Sequence, residues 1–299
     1  MAKKIMVQGT GSGKGKSLTV CILCRLLSNE GYKVAPLKSV NFTAVTYKLG
    51  NGMEFGYSQA LQAVAARTEP SPDFNPITPK PWIDGTISVF VRGRKVVEGV
   101  KFTGEDLLVP KNDPVTQMFK PEALEGIVRE VLAELESKYD VIVIEGSGPM
   151  KVKGLGAMSK AVEFANMHVA RIANAPVLMI ANTPDSAKGM LSMLSEEELN
   201  RIKGLIVNPF DAFKIAMDIG AKMSPELAWE YGKAVYGDLG KDIVAVLPYI
   251  EELAGMPELD PVQPAPTIPL DLWDTMIEKI ANRVKDYIDM GKIHSLMGL

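Results

Sequence analysis

The sequence has few of the residues that redox and transition-metal sites use. Its 299 residues include only two cysteines and two histidines. Cys21 and Cys24 have the C-x-x-C spacing of a redox motif or of half a zinc site, but His168 and His294 lie far away in the chain. Because the cysteines stand among helix formers with no second pair, buried helix positions are the favoured interpretation.

Long apolar runs and a strong net charge are absent as well. No stretch of the sequence approaches the roughly 18 apolar residues of a membrane-spanning helix, and the apolar run near the N-terminus is too short for a secretory signal. The formal net charge of −3 gives no support for a nucleic-acid or anionic-membrane partner. We therefore expect a cytoplasmic protein that binds neither nucleic acid nor membrane.

Short apolar segments alternate with longer helical patterns along the chain. The segments are apolar throughout rather than at every second residue, which is typical of strands covered on both faces. Helices between such strands predict an α/β fold with a doubly wound, mostly parallel sheet and helices on both faces. The predicted strands of that sheet are residues 4–9, 33–39, 140–148, 175–182, 203–208 and 242–249.

The chain divides into a main domain and a C-terminal part. The main domain is expected to span residues 1–254, and within it residues 86–99 predict a hairpin that turns at Arg92-Gly93. Residues 255–270 contain five prolines and predict an extended connector. Residues 271–299 are expected to contain a final helix, about 271–290, that packs on the domain or on a partner subunit.

The stretch "GTGSGKGKS", residues 9–17, follows the first predicted strand and opens a helix. Ligands of an open parallel sheet bind at the carboxyl ends of the strands, where a glycine-rich loop can turn its amides toward phosphate at a helix N-terminus. The spacing G-T-x-x-G-x-G-K-S is one residue longer than the G-x-x-x-x-G-K-S pattern, which would need glycine at position 10. We therefore predict a P-loop NTPase-type fold in which a nucleotide is held by Gly9, Thr10, Gly11, Ser12, Gly13, Lys14, Gly15, Lys16 and Ser17.

Two side chains of this loop have predicted roles in catalysis and metal binding. Lys16 can reach the β- and γ-phosphates, and the Ser17 hydroxyl can hold Mg²⁺. Lys14 faces either a phosphate or solvent, and solvent is the favoured interpretation.

Three strand-end residues extend the predicted site. Glu145 ends an apolar strand before two glycines, where an acid can hold Mg²⁺ directly or through water, although it could also cap a loop. Lys38 ends the second strand and can neutralise charge on a transferring phosphoryl group, unless it is only a surface lysine. Asn208 can read adenine through its amide, or it can simply form a turn.

The segment "VQGTGSGKGKSLTVCILCRLLSNEGYKVAPLKSVN" resembles the N-terminal, ATP-binding part of cobyric acid synthase. The likeness covers roughly residues 4–250 and continues through "GMEFGYSQALQAVAARTEPSPDFNPITPKP", "YDVIVIEGSG", "FANMHVARIANAPVLMIAN" and "IKGLIVNPF". Dethiobiotin synthetase has the same fold and the same G-T-x-x-G-x-G-K loop spacing. The resemblance implies ATP and Mg²⁺ as cofactors, phosphorylation of a substrate carboxylate or carbamate, and a homodimer.

The resemblance also assigns roles to individual residues. It implies phosphate and metal contacts for Lys16 and Ser17, a catalytic role for Lys38, and adenine recognition by Asn208. The implied metal ligands are Ser17, Glu145 and Glu54, the last by its match to the family's G-x-E-I-G-x-x-Q run. Glu54 rests on the resemblance alone, since an acid near a helix N-terminus is commonly a partner of the helix dipole.

The sequence departs from the family where substrate should lie. "VNFTAVT" keeps Asn41 of the family's Q-N-x-x-x-N-S run but loses other polar positions, "PMKVKG" replaces S-P-A-E-I-N, and "NTPDSAKG" replaces D-I-D-R-G-G. Because the phosphate loop is intact, ATP chemistry is expected to persist while the substrate is left open.

These features predict an ATP-dependent ligase that activates a small-molecule carboxylate for amide formation. Cobyric acid synthase carries a glutamine-hydrolysing domain with a cysteine nucleophile, whereas both thiols of this chain lie in the predicted helix after the loop. Ammonia is therefore expected from outside the chain, either free or from a separate glutaminase subunit. The alternatives are a dethiobiotin-synthetase-like cyclising enzyme or small-molecule kinase, and a nucleotide switch that acts on a protein partner. The switch is disfavoured because Gly11 replaces the signature lysine of partitioning ATPases.

Overall fold

The computed structural model describes residues 1–101, 120–152, 157–221 and 223–299. Six strands form one sheet, and two smaller antiparallel sheets lie beside it. In chain order the strands are β1 (Lys3–Gly9), β2 (Val34–Leu37), β3 (Thr46–Lys48), β4 (Glu54–Gly56), β5 (Ile77–Pro81), β6 (Thr86–Val91), β7 (Arg94–Lys101), β8 (Val141–Pro149), β9 (Val177–Ala181), β10 (Ile202–Val207) and β11 (Ile243–Val246).

Helices connect these strands. In chain order they are α1 (Lys16–Asn29), α2 (Tyr57–Ala65), α3 (Pro121–Lys138), α4 (Ala157–Glu163), α5 (Val169–Ile172), α6 (Pro184–Leu191), α7 (Glu196–Arg201), α8 (Phe210–Asp218), α9 (Pro225–Tyr236), α10 (Leu270–Val284) and α11 (Met290–Met297). Within the described ranges, none of them has both the length and the apolar content needed to cross a membrane.

The main sheet has the strand order β11-β10-β9-β1-β8-β2, and every neighbouring pair is parallel. The predicted doubly wound sheet is therefore confirmed. From β1 the chain crosses β8 to reach β2, whereas from β8 it returns past β1 to reach β9. The carboxyl ends of β1 and its neighbours thus border the crevice where ligands of such sheets bind.

Alternate residues of β1 show how the sheet is covered. Ile5 and Val7 are fully buried against a layer that contains α1, α2, α10 and α11. Met6 points to the opposite face, where it belongs to the core cluster that includes residues of α3 and α9. Both faces are apolar, which explains why the strands carry consecutive apolar residues rather than alternating ones.

The antiparallel sheets contain one predicted hairpin and three strands that were not predicted. Strands β6 and β7 pair around a turn at Arg92 and Gly93, with φ of 46° and 78°, as the sequence predicts. Strand β5 joins them and carries Pro79 and Pro81, which argue against a strand in a sequence pattern. Strands β3 and β4 are three residues each, too short to give a period.

The predicted helix 161–173 is interrupted in the structure. Residues Phe164–His168 form a π-helical turn in which Asn166 has φ −107° and ψ −105°. The Asn166 Nδ2 donates to the carbonyls of Ser147, at 2.8 Å, and Pro149, at 2.9 Å. This buried amide ties the turn to the end of β8, and such bulges are frequent at functional sites.

The C-terminal part packs on the domain. The predicted helix 271–290 corresponds to α10, which ends at Val284 and is followed by a 3₁₀ turn at Lys285–Tyr287; a separate helix, α11, begins at Met290. Trp273 of α10 is fully buried, and its Nε1 donates to the Leu61 carbonyl at 3.0 Å. Arg25 of α1, 1% exposed, pairs with Asp274 and with Glu278 of α10. These contacts join α10 to α1 and α2.

The Pro-rich segment also covers part of the carboxyl edge of the main sheet. Residues 255–269, all of them described, contain neither helix nor strand. The chain crosses the carboxyl edge of the sheet here, where the Pro261 carbonyl accepts from Thr43 Oγ1 at 2.8 Å and the Val262 carbonyl accepts from the Ala44 amide at 3.2 Å. We call residues 253–262 the strap, because they pass over the crevice.

Candidate active site

The loop between β1 and α1 is shaped by glycines at two positive φ angles. Gly13 has φ 66° and Gly15 has φ 97°, a region that favours glycine. Gly15 is also required sterically, because a Cβ there would lie 2.7 Å from Asn208 Nδ2. That amide donates to the Lys14 carbonyl at 3.0 Å. The end of β10 therefore braces the loop directly.

Lys16 lies folded back on its own loop. Its Nζ donates to the Gly11 carbonyl at 2.8 Å, and the residue is 6% exposed. Burial, followed by repulsion from Lys38, lowers the pKa of Lys16 to about 8. A buried ammonium with one carbonyl partner is well suited to accept an anion, because a phosphate would restore its charge compensation.

Ser17, Glu145 and Lys38 form one hydrogen-bonded group. Glu145 Oε1 accepts from Ser17 Oγ at 2.9 Å and from Lys38 Nζ at 2.9 Å. The second oxygen, Oε2, accepts from Gln62 Nε2 of α2. Glu145 lies in the middle of β8, which continues to Pro149 beyond the strand tip expected from the sequence. It is 1% exposed, so this acid is a buried, fully engaged carboxylate. The structure thus brings together three residues that the sequence singled out separately.

Asp260 is a second acid at this site that the sequence reasoning missed. Its carboxylate pairs with Lys38 Nζ, and it also accepts from Asn41 Nδ2 and Ser58 Oγ, each at 2.9 Å. Burial alone would lower the pKa of Lys38, but Asp260 and Glu145 outweigh burial and raise it well above its usual value. Asp260 lies in the proline-rich strap, where no spacing signal marks it.

A cavity of about 750 Å³ opens beside these residues. Its wall includes the loop, the strap and the strand ends, and Asn182 and Asn208 line it from the ends of β9 and β10. The Asn182 Oδ1 is buried and has no hydrogen-bond partner within the described ranges. An unpaired amide oxygen beside a phosphate loop fits a ligand that carries a hydrogen-bond donor, as an adenine amino group does. Lys14 also lines this cavity and is half-buried.

The structure does not bring every predicted site residue to the cavity: Gly9, Thr10 and Gly11 are absent from its described lining, and Glu54 lies apart from the acidic group. Its carboxylate lies in the β3–β4 hairpin, where Oε2 accepts from Lys80 Nζ at 2.8 Å and from Thr46 Oγ1 at 2.5 Å. It is absent from the described residues that line the cavity. Burial opposes the charge of Glu54, but the bonds from Lys80 and Thr46 lower its pKa. Its expected role as a metal ligand therefore has no support from position.

The two cysteines lie inside α1. Cys21 and Cys24 are free thiols, 1% and 0% exposed. Burial raises the pKa of both thiols well above the usual value. They are therefore buried, unreactive core residues, in line with the favoured interpretation of the sequence.

The residues at the crevice fit ATP and Mg²⁺. Mg²⁺ is usually held by one or two protein oxygens together with phosphate oxygens and water, and Ser17 Oγ and Glu145 supply such a pair. Within the described ranges no group of three or more acidic, histidine or cysteine side chains is arranged to hold a metal alone. Lys16 and the loop amides would hold the phosphates.

The parallel sheet and the glycine-rich loop at its carboxyl edge define a P-loop NTPase-type α/β protein. Residues 5–258 match the family model described as the CobQ/CobB/MinD/ParA nucleotide binding domain, and the chain belongs to that family.

Several curated proteins with similar sequences are named cobyric acid synthase or probable cobyric acid synthase. The protein of Pelotomaculum thermopropionicum is 34% identical over 258 residues, which cover 85% of this chain and 44% of that protein. A probable cobyric acid synthase of Thermococcus kodakarensis is 32% identical over 305 aligned residues, covering 100% of this chain and 56% of that protein. The chain thus spans about half the length of the curated relatives it matches. The resemblance to the ATP-binding part of this family is confirmed.

Solved structures give more distant similarities. The septum site-determining protein MinD of Pyrococcus horikoshii, complexed with Mg-ADP, is 14% identical with a TM-score of 0.41 and covers 94% of this chain and 96% of its own. The cell division protein FtsY of Thermotoga maritima is 13% identical with a TM-score of 0.44 and covers 93% and 68%.

Proposed function

We propose that this chain is an ATP- and Mg²⁺-dependent enzyme that phosphorylates a carboxylate of a small-molecule substrate for amide formation. A carboxylate oxygen attacks the γ-phosphorus and ADP leaves; ammonia then attacks the acyl carbon, the nitrogen loses a proton, and phosphate leaves. The names of the relatives support a ligase, and the family match supports nucleotide binding.

The observation that carries this proposal is the convergence of two buried lysines on one acid-lined crevice. Lys16 lies in the phosphate loop, and Lys38 bonds the same Glu145 oxygen as Ser17. Phosphoryl transfer needs positioning and charge stabilisation rather than a covalent intermediate on the protein. Lys16 would hold the β- and γ-phosphates, Lys38 would stabilise the phosphoryl group in transfer, and Mg²⁺ held by Ser17 and Glu145 would neutralise phosphate charge.

Ammonia has to come from elsewhere. The sequence contains two cysteines, and both are buried in α1 with raised pKa values. A glutamine-hydrolysing thiolate must be exposed and have a lowered pKa, so neither can serve. We propose free ammonia, or ammonia from a glutaminase carried on another polypeptide or on sequence beyond these residues.

The test is ADP formation from ATP, Mg²⁺ and ammonia in the presence of a panel of polycarboxylates. Release of ADP only with a particular carboxylate supports the proposal, and mass spectrometry should find the corresponding amide. Lys38→Met removes the ammonium and should abolish this release, whereas Lys95→Ala changes an exposed lysine of β7 and serves as the matched control.

Other outcomes identify the alternatives. Bicarbonate-dependent ring closure indicates a cyclising enzyme, and a stable phosphorylated product indicates a kinase. Brisk ATP hydrolysis without any carboxylate, together with ATP-dependent dimerisation, contradicts the ligase and indicates a nucleotide switch.

A further inference from the structure

The carboxylate of Asp260 occupies a site built from three donors. Lys38 Nζ pairs with Oδ2, while Asn41 Nδ2 and Ser58 Oγ both donate to Oδ1 at 2.9 Å. A charged ammonium on one oxygen and two neutral donors on the other form a complete environment for one ionised carboxyl group. We call these three donors the carboxylate cradle.

The cradle belongs to the domain and not to the strap. Lys38 follows β2, Asn41 lies in the next loop, and Ser58 is in the first turn of α2. Lys38, Asn41 and Ser58 are 3%, 2% and 2% exposed. Each is fixed by other contacts: Lys38 Nζ by Glu145 at 2.9 Å, and Asn41 Nδ2 by Gln59 Oε1 at 3.0 Å and by Ser58 Oγ at 3.2 Å. The donors would therefore stay in place if Asp260 left.

The position of the cradle is that of a phosphoryl acceptor. Lys38 bonds the Glu145 oxygen that Ser17 also bonds, so the cradle adjoins the predicted metal and phosphate end of the cavity. Asn41 and Asp260 both line that cavity. A substrate carboxylate held here would lie beside the γ-phosphoryl group that it attacks in the proposed reaction.

The charges of the site indicate that Asp260 and a substrate carboxylate cannot occupy the cradle at the same time. The buried group contains two ammonium groups, Lys16 and Lys38, and two carboxylates, Glu145 and Asp260. A second carboxylate on Lys38 would put like charges together in a buried site, which is unfavourable. Exchange of Asp260 for a substrate carboxylate would keep the charge of the cradle unchanged.

We propose that the cradle of Lys38, Asn41 and Ser58 is the subsite for the substrate carboxylate, and that Asp260 fills it as an internal substitute until substrate displaces it. This inference rests on the proposed function. The strap thereby acts as a latch: Asp260 holds it against the cradle in the absence of substrate, and the strap is released when a substrate carboxylate takes the cradle. The substrate class is a molecule with an accessible, ionised carboxyl group.

The first test asks, without ATP, whether the emptied cradle binds free carboxylate. Asp260→Ala should lower the thermal midpoint, because Lys38 loses one of its two acids. Formate or acetate should raise the midpoint of the variant by about 3 °C at ten times the dissociation constant, and sodium chloride at equal ionic strength should not. The unchanged protein should show no such difference between the salts. Ser58→Ala in the Asp260→Ala background should remove the effect.

If Asp260→Ala does not fold, Asp260→Ser leaves similar space and retains a hydroxyl, and the same comparison applies. Equal shifts with carboxylate and chloride would overturn the cradle. Because no nucleotide is used, this result is independent of whether the chain makes ADP.

The second test separates a latch from a merely structural ion pair. In the ADP assay, Asp260→Ala should lower KM for the carboxylate substrate by about threefold or more while kcat changes little. The reason is that the substrate carboxylate no longer has to displace the Asp260 carboxylate from the cradle. Acetate should compete with that substrate. An unchanged or higher KM, or a loss of kcat, would show that Asp260 supports the active site and does not block it.

Discussion

Ser17 Oγ donates to Glu145 Oε1 over 2.9 Å, joining the start of α1 to the middle of β8. The two residues are 128 positions apart in the chain, yet β1 and β8 are neighbours in the sheet. The parallel register sets Glu145 opposite Val7, near the end of β1, so the fold brings the carboxylate next to the hydroxyl at the start of α1. The carboxyl edge of the sheet also carries Lys38, and from this arrangement the following predictions are made.

Lys16→Ala should weaken ATP binding about 10- to 100-fold, because the variant loses a charge-assisted contact to phosphate. Titration calorimetry with ATP and Mg²⁺ measures the change. Lys95→Ala, which alters an exposed lysine outside the cavity, is the matched control and should bind ATP as the unchanged protein does. Equal affinity of the Lys16 variant and the control would contradict phosphate binding by the loop.

Nucleotide binding should take up protons at mildly alkaline pH. The pKa of Lys16 is lowered to about 8, so near that pH about half of the nucleotide-free protein has a neutral Lys16. Phosphate favours the ammonium and raises this pKa, and binding should then take up about half a proton at pH 8 and almost none near pH 6.5. Calorimetry in two buffers of different ionisation enthalpy measures the uptake. Lys16→Ala should abolish it.

Glu145→Gln should remove most of the Mg²⁺ dependence of nucleotide binding, reducing the affinity for the cation by about 10- to 100-fold or more. The amide keeps the size of the side chain but lacks the charge that Mg²⁺ prefers. ATP titrations across a range of Mg²⁺ concentrations measure this effect.

The variant Glu54→Gln tests whether Glu54, in addition to Glu145, is a ligand of Mg²⁺. Because Glu54 is bonded to Lys80 and Thr46 outside the cavity, its loss should lower thermal stability and leave the Mg²⁺ dependence intact. Loss of the Mg²⁺ dependence in this variant would instead support the role of Glu54 as a metal ligand, which the family resemblance implies.

Trp273→Ala should destabilise the protein by about 3–5 kcal/mol, because it leaves a cavity between α10 and α2 and removes the bond to the Leu61 carbonyl. Chemical denaturation measures this loss. The neighbouring residue Leu272 is 46% exposed, and Leu272→Ala should change stability by no more than about 0.5 kcal/mol. Equal losses for both variants would mean that α10 does not pack as described.

The sequence predicts well those parts of the fold that are encoded locally. The six core strands carry runs of consecutive apolar residues because both faces of the sheet are covered, so their existence and parallel arrangement follow from the sequence pattern. The phosphate loop is also local, since residues 9–17 contain both the strand end and the start of the helix. Each of these features is encoded by residues that are consecutive in the sequence, so the sequence pattern reveals it.

The missed features depend on contacts between distant residues. Asn166 stands in a helical pattern, but its buried amide bonds the end of β8 and breaks the regular helix there. Strand β5 contains two prolines and exists because β6 pairs with it. Asp260 has no signal in a proline-rich stretch, since only the fold places it against Lys38.

The amide of Asn208 occupies the space that a methyl group on Gly15 would need, since the two would lie 2.7 Å apart. Asn208, which is predicted to recognise the base, therefore packs directly against the loop that is predicted to hold the phosphates. Any side chain introduced at position 15 would force position 208 to shrink or withdraw. The two positions should accordingly vary together during evolution, because a side chain at position 15 requires a smaller or displaced residue at position 208.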